Sequence, residues 1–191
     1  MPILKEGDPD IVELIGRYSR WRRIYGYAGK AAPDEADLES GRLHFRFGYP
    51  YPDWWAFILE GSADGRYRCL RASTERSVTP VETSQGNFAR IQDAGKFIIY
   101  NIAESLRIDC RMEPISWRWD DAGLDPLVNM YIESYRTVKY VLRNNSNAYF
   151  IMTRGDMAYS HILPLSYDEL DAVLLDGFPE SVMAQLNAES G

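Results

Sequence analysis

The chain is expected to be α+β, with a mainly antiparallel sheet built from hairpins and helices set apart from it. Three features carry that expectation. Several runs alternate polar and apolar residues, as half-buried strands do. The turns between them are too short to cross to a parallel neighbour. One stretch, at about residues 86–107, has the three-and-four spacing of a long central helix, and helix-start signals stand near both ends of the chain.

Near the N-terminus, Asp8 can cap a helix, Pro9 suits its first position and Asp10 favours the positive end of its dipole. Ile11, Leu14, Tyr18, Trp21 and Tyr25 then share one face, and Gly26 is a stop signal. Arg17, Arg20, Arg22 and Arg23 interleave with these aromatics at solvent spacing, which reads as a charged helix face rather than a nucleic-acid site. Ala31–Gly41 is polar and acidic and reads as a loop or linker. Arg42–Phe47 alternates as a strand, and the prolines of Gly48–Asp53 break it. Trp54–Glu60 and Arg66–Ser73 flank the turn Ser62–Gly65 as a hairpin, and Thr74–Gln85 reads as a second loop.

In the central helix, Phe88, Ile91, Gly95, Ile98, Ile102 and Leu106 line one face, and Phe97 and Ile99 broaden it. Such a helix should cover one face of the sheet. Gly95 costs about 1 kcal/mol against alanine there, which a closely packed backbone would offset. Beyond Trp117–Asp121 and a Gly123–Pro126 break, β-patterned runs span Val128–Arg143 (with a possible bend at Arg136), Ala148–Thr153 and Met157–Leu163, with turns at Asn144–Asn147 and Arg154–Asp156. Ser166 and Glu169 have capping-box spacing before Leu170, Val173 and Leu174, and Gly177 closes that helix. Pro179 opens a last short helix carrying Val182, Met183 and Leu186.

A length of 191 residues suits a single domain spanning 1–191, and 46% hydrophobic residues suffice for a core. The net charge of −7 argues against nucleic acid and suits a basic partner. Cys69 and Cys110 show neither scaffold nor metal spacing and read as reduced thiols of a cytoplasmic protein. No signal peptide or membrane-length apolar run is read, so no membrane is expected.

The search for chemistry returns little. His44 and His161, both placed in strands, have no acidic residue at ligand spacing, and no nucleophile elbow or phosphate loop occurs. Asp120-Asp121 is the one carboxylate pair considered for acid–base work, and it also reads as a solvated turn. Arg154-Gly155-Asp156 matches an integrin-binding tripeptide and is read as coincidence. No enzyme activity, metal or cofactor is expected. Aromatic residues do stand out: Tyr49, Tyr51, Trp54 and Trp55 around two prolines, and Trp117 and Trp119 around an arginine. Strand alternation sets Trp54 and Trp55 on opposite faces. These residue types dominate protein–protein hot spots, although they also fill sheet cores.

The order of elements resembles the polymorphic-toxin immunity family called Immunity protein 61, which includes the antitoxin of a mycobacterial NAD-glycohydrolase toxin. The resemblance rests on the N-terminal amphipathic helix, the pair Trp54–Glu60 and Arg66–Ser73, and Ser73-Thr74-Glu75-Arg76 after the second strand. It continues through the long helix, the hairpin strands and Leu165-Ser166-Tyr167-Asp168-Glu169-Leu170. The Gly48–Asp53 and Trp117–Asp121 stretches have no match in that pattern. The resemblance implies a cytoplasmic antitoxin that blocks the active site of a cognate toxin, an NAD-degrading enzyme by analogy, as a monomer in a 1:1 complex. Acidic groups beside aromatic anchors should form its face. The candidate loops are Tyr49, Tyr51, Asp53 and Trp54, joined by Asp64, and then Trp117, Trp119, Asp120 and Asp121. A non-immunity scaffold using the same aromatics, or an enzyme with carboxylates around Asp120 and Asp121, are the alternatives.

Overall fold

A computed structural model describes residues 4–75, 79–153 and 156–188. Helix α1 (Pro9–Tyr27) starts where the Asp8 carboxylate accepts the Asp10 backbone N–H at 3.0 Å, and it buries Ile11, Leu14, Tyr18, Trp21, Ile24 and Tyr25. Strands β1 (Asp37–Glu39), β2 (Arg42–Phe47), β3 (Trp55–Gly61), β4 (Tyr67–Ser73) and β5 (Val81–Phe88) follow as successive neighbours. Helices α2 (Ile91–Asp109) and α3 (Ile115–Ala122) intervene before β6 (Val128–Ile132), β7 (Thr137–Leu142) and β8 (Asn145–Thr153). A 3-10 helix, Met157–Ile162, leads to α4 (Tyr167–Leu175) and α5 (Glu180–Ala188). The strands form one eight-stranded antiparallel sheet in the order β1-β2-β3-β4-β5-β8-β7-β6. Its two blocks meet where Gly86–Phe88 of β5 pairs with Phe150–Met152 of β8. The fold is α+β, and among the described residues no helix is long and apolar enough to cross a membrane.

Strand alternation sends Leu43, Phe45, Phe57, Leu59, Cys69, Phe88, Val138, Tyr140, Phe150 and Met152 to one face, where the helices cover them. Helix α2 lies at the centre of that layer, with Ala94, Ile98, Ile99, Ile102, Ala103 and Leu106 wholly buried. Its buried polar side chains fasten other elements to it. Glu104 accepts the Ile115 backbone N–H at 2.7 Å and so holds the start of α3. Arg107 donates to the carbonyls of Glu113, Leu174 and Asp176. Between α1 and α4, Asp171 accepts from the Trp21 indole at 2.8 Å and from Arg20 at 2.6 Å. Arg17 and Arg20 thus pair with α4. The Ser166–Glu169 capping box forms as spaced.

Several elements differ from the sequence reading. The central helix begins at Ile91, and Gly86–Phe88 belongs to β5, which also occupies much of the expected loop Thr74–Gln85. Phe88 is buried all the same, because the strand aims it at the layer that α2 covers. The expected linker Ala31–Gly41 holds β1, and its backbone is tied down by Tyr18 Oη donating to Asp34 O at 2.6 Å and Arg22 Nε donating to Pro33 O at 2.9 Å. Helix α1 runs past Gly26 to Tyr27. Val128–Arg143 is two strands, β6 and β7, joined by a hairpin. Where a strand is expected at Met157–Leu163, Met157–Ile162 forms the 3-10 helix, so His161 is not a strand residue. Trp117–Asp121 lies in helix α3, not in a loop. Arg76 and two residues of the Arg154–Asp156 turn, Arg154 and Gly155, lie outside the described residues.

Gly95 is accounted for by side chains, not by a packed backbone. A Cβ there would stand 2.0 Å from Tyr167 Oη and 3.0 Å from Leu14 Cδ1. Gly95→Ala is therefore expected to destabilise the protein by about 1–3 kcal/mol, despite the gain in helix propensity. Urea unfolding measures this, and Tyr167→Phe in the Gly95→Ala background should recover part of the loss. A midpoint raised by Gly95→Ala alone would contradict the close approach.

Candidate functional site

The opposite sheet face carries a second, smaller apolar cluster made of strand residues, Ala56, Ile58, Leu70 and Ala72, with Trp54 packed on it. These four are nearly inaccessible, Ala56 and Ala72 at 0%. Curvature explains the burial. Arg42 on β2 meets Glu82 on β5 at 2.8 Å, although β3 and β4 lie between. Neighbouring strands stand about 4.8 Å apart, and Glu82 is aligned with Ala56 while Arg42 is aligned with Glu60, a further four residues along β3, so that reach requires the sheet to curl toward this face. The Arg42–Glu82 pair then roofs the cluster.

Charge surrounds it on every strand. Arg46 lies between Asp37 at 3.0 Å and Glu39 at 2.8 Å. Glu60 takes Arg68 Nε at 2.8 Å and stands 2.8 Å from Arg42 Nε, the latter without hydrogen-bond geometry. His44 is buried among these groups, 4.0 Å from Glu39. Burial, aided by the Arg46 charge, pushes its pKa below the usual imidazole value and so favours the neutral ring. Opposite charges alternate across the strands, which makes this a self-neutralised surface rather than a single-sign field.

The Gly48–Trp54 segment stands at the rim of this concave face. Left-handed φ values at Gly48 and Asp53 turn the chain out and back between β2 and β3. Tyr49 is fixed on three sides: its N–H donates to Asp34 Oδ2 at 3.0 Å, its ring meets Trp54 edge-on at 5.5 Å, and the Arg46 guanidinium sits 4.8 Å over it. The Trp54 carbonyl accepts the Thr74 N–H at 3.0 Å. On this base, Tyr51 is 72% exposed and Asp53 is exposed beside it. Trp55 points the other way and stacks on Phe47 at 3.9 Å, as alternation requires.

Of the residues singled out from sequence, Tyr49, Tyr51, Asp53 and Trp54 form one surface. Asp64 does not join them, because its hairpin turn lies at the opposite end of β3. There it is held by Arg66, whose guanidinium and backbone N–H lower its pKa to about 2. The α3 residues stand among the helices, on the other side of the sheet. Trp119 is sandwiched between Tyr100 at 5.2 Å and His161 at 5.3 Å, which is packing. Trp117 is 63% exposed, and Asp120 and Asp121 are exposed. Consecutive helical residues point about 100° apart, so these two carboxylates do not converge. His161 instead serves structure: Nδ1 is 3.2 Å from Asp125, and Nε2 is 2.8 Å from the Gly123 carbonyl. Among the described residues no group of three or more His, Cys, Asp or Glu is placed to hold a metal ion.

No family model matches the chain, and no curated protein matches it by sequence. Among solved structures, Rv3902c from M. tuberculosis shares the fold, with a TM-score of 0.59 and 13% identity over 91% of this chain and 90% of that one. The shared architecture covers nearly the whole of both chains, while the identity leaves side-chain chemistry to be argued from this chain alone.

One surface escaped the sequence reading. Leu127, Met130, Tyr131, Ile132 and Tyr135 are all exposed, on and beside β6. The clue was a strand run with apolar residues at consecutive positions 130–132, which one buried face cannot absorb.

Proposed function

We propose that this chain is an immunity protein that binds a cognate toxin and blocks its active site, with the rim of the open sheet face as the contact. The observation that carries this reading is the Gly48–Trp54 segment: Tyr51 and Asp53 are presented to solvent on a base of Tyr49, Trp54 and Arg46 that is already ordered. A preorganised aromatic anchor loses little side-chain freedom on binding, and tyrosine beside an acidic group is a hot-spot composition. The net charge of −7 favours association with a basic cleft, such as one that holds a phosphate-bearing substrate. The order of elements that resembles the Immunity protein 61 family supports the same reading and suggests an NAD-degrading toxin. The protein would act in the cytoplasm, without catalysis of its own.

Co-expression with a cognate toxin is the test. Tyr51→Ala is expected to leave thermal unfolding unchanged and to weaken toxin binding by about thirtyfold, the effect of losing a hot-spot tyrosine. Asp53→Asn should weaken it further while keeping a residue type that tolerates the left-handed backbone. Full protection by a folded Tyr51→Ala/Asp53→Asn variant would place the contact elsewhere.

A further inference from the structure

We infer that a second copy of this chain pairs with the outer edge of β6, continuing the sheet across a two-fold axis at Met130. The two sheet edges are built differently. β1 is three residues long, and Asp37 and Glu39 on it are paired with Arg46, the usual guard of an exposed edge. β6 has no such guard: Met130, Tyr131 and Ile132 are 41%, 53% and 63% exposed, and Leu127 and Tyr135 extend the apolar strip at either end.

The hydrogen bonds determine which backbone groups are free to pair. Glu133 N–H donates to Thr137 O at 3.1 Å, and Arg143 N–H donates to Leu127 O at 2.8 Å. Odd-numbered residues of β6 therefore turn toward β7, and Val128, Met130 and Ile132 turn their carbonyls outward. Val128 N–H is already used by Asp125 O at 3.0 Å, which leaves the N–H groups of Met130 and Ile132. Antiparallel pairing centred on Met130 uses that set. Met130 N–H meets the Met130 carbonyl of the other copy, and Ile132 N–H meets the Val128 carbonyl.

Side chains choose a second copy as the occupant. In this register Val128 faces Ile132, and Asn129 faces Tyr131. Glu133 falls opposite Leu127 of the other copy, one strand from Arg143, which is the β7 partner of Leu127. The symmetry creates this opposite-charge approach twice, from one anion and one cation at opposite ends of the β6–β7 hairpin. The pair replaces the monomer expected from sequence and leaves the Tyr51–Asp53 rim, on the β2–β3 connection, outside the contact.

Sedimentation velocity of the full chain, from micromolar to high-micromolar concentration, tests this. The wild-type chain is expected to shift from monomer to dimer mass. Met130→Lys should stay monomeric with unchanged thermal unfolding, and Tyr51→Ala should dimerise as wild type does. Glu133→Arg should weaken the dimer about tenfold, through lost attraction and new like-charge contact, and adding Arg143→Glu to it should restore the dimer. A wild-type chain that remains monomeric throughout overturns the proposal, as does a dimer that survives Met130→Lys. A charge exchange that fails to restore pairing overturns the register.

Discussion

Ile98→Ala is expected to lower the free energy of unfolding by about 2–5 kcal/mol. Ile98 is wholly inaccessible near the middle of α2, the helix that touches α1, α4 and strands β4, β5 and β8. Removing its outer carbons opens a cavity in the core that α2 packs against. Its walls are held apart by the rest of the core, so the space cannot collapse. Urea unfolding should show a lower midpoint with an unchanged slope, the mark of lost stability without a change in the surface exposed. A loss below about 1 kcal/mol would show that the layer around α2 repacks freely.

Lys96→Ala should cost as much, about 3–5 kcal/mol, by a different route. The ammonium is 4% exposed, stands 3.0 Å from the buried Asp93 carboxylate and donates to the carbonyls of Leu163 and Leu165 at 3.1 and 2.7 Å. Burial pulls its pKa below the ordinary lysine value, and Asp93 opposes that pull. Truncation leaves two carbonyls without a donor and removes a charge from beside Asp93, which retains Arg90 at 2.7 and 2.8 Å. The same contacts tie α2 to the segment that enters α4, so α4 should fray first. A double-mutant cycle with Asp93→Ala should give a combined loss smaller than the sum. Strict additivity would mean that the pair carries no coupling.

The Gly48–Trp54 rim was legible in the sequence because prolines and glycine announce an excursion, and tyrosines within an excursion have little core to fill. Trp117–Asp121, just before the Gly123–Pro126 break, also reads as a loop at that level. It lies in a helix because Glu104 receives the first backbone N–H groups of α3, and its Trp119 is claimed by Tyr100 and His161. Nothing in the local residues could announce partners that arrive from distant points of the chain. Asp64 is expected to join Asp53, but a strand of seven residues puts the two ends of β3 far apart.

The sequence by itself determined the elements whose cause is local. Asp8-Pro9 starts α1, Ser166 and Glu169 cap α4, and the alternation of Arg42–Phe47 marks β2, because caps and periodicity need only neighbouring residues. The tertiary structure decided what depends on distant partners. It drew Gly86–Phe88 out of the helical pattern and into β5, because β4 and β8 supply hydrogen bonds on both sides. It made Met157–Ile162 a 3-10 helix with Ser160 and His161 reaching toward Asp125 and Gly123, where the residue pattern suited a strand equally well. It also curled the sheet until Arg42 reached Glu82, turning an alternating polar face into a concave one, since curvature arises from the whole set of strands and is written in none of them singly.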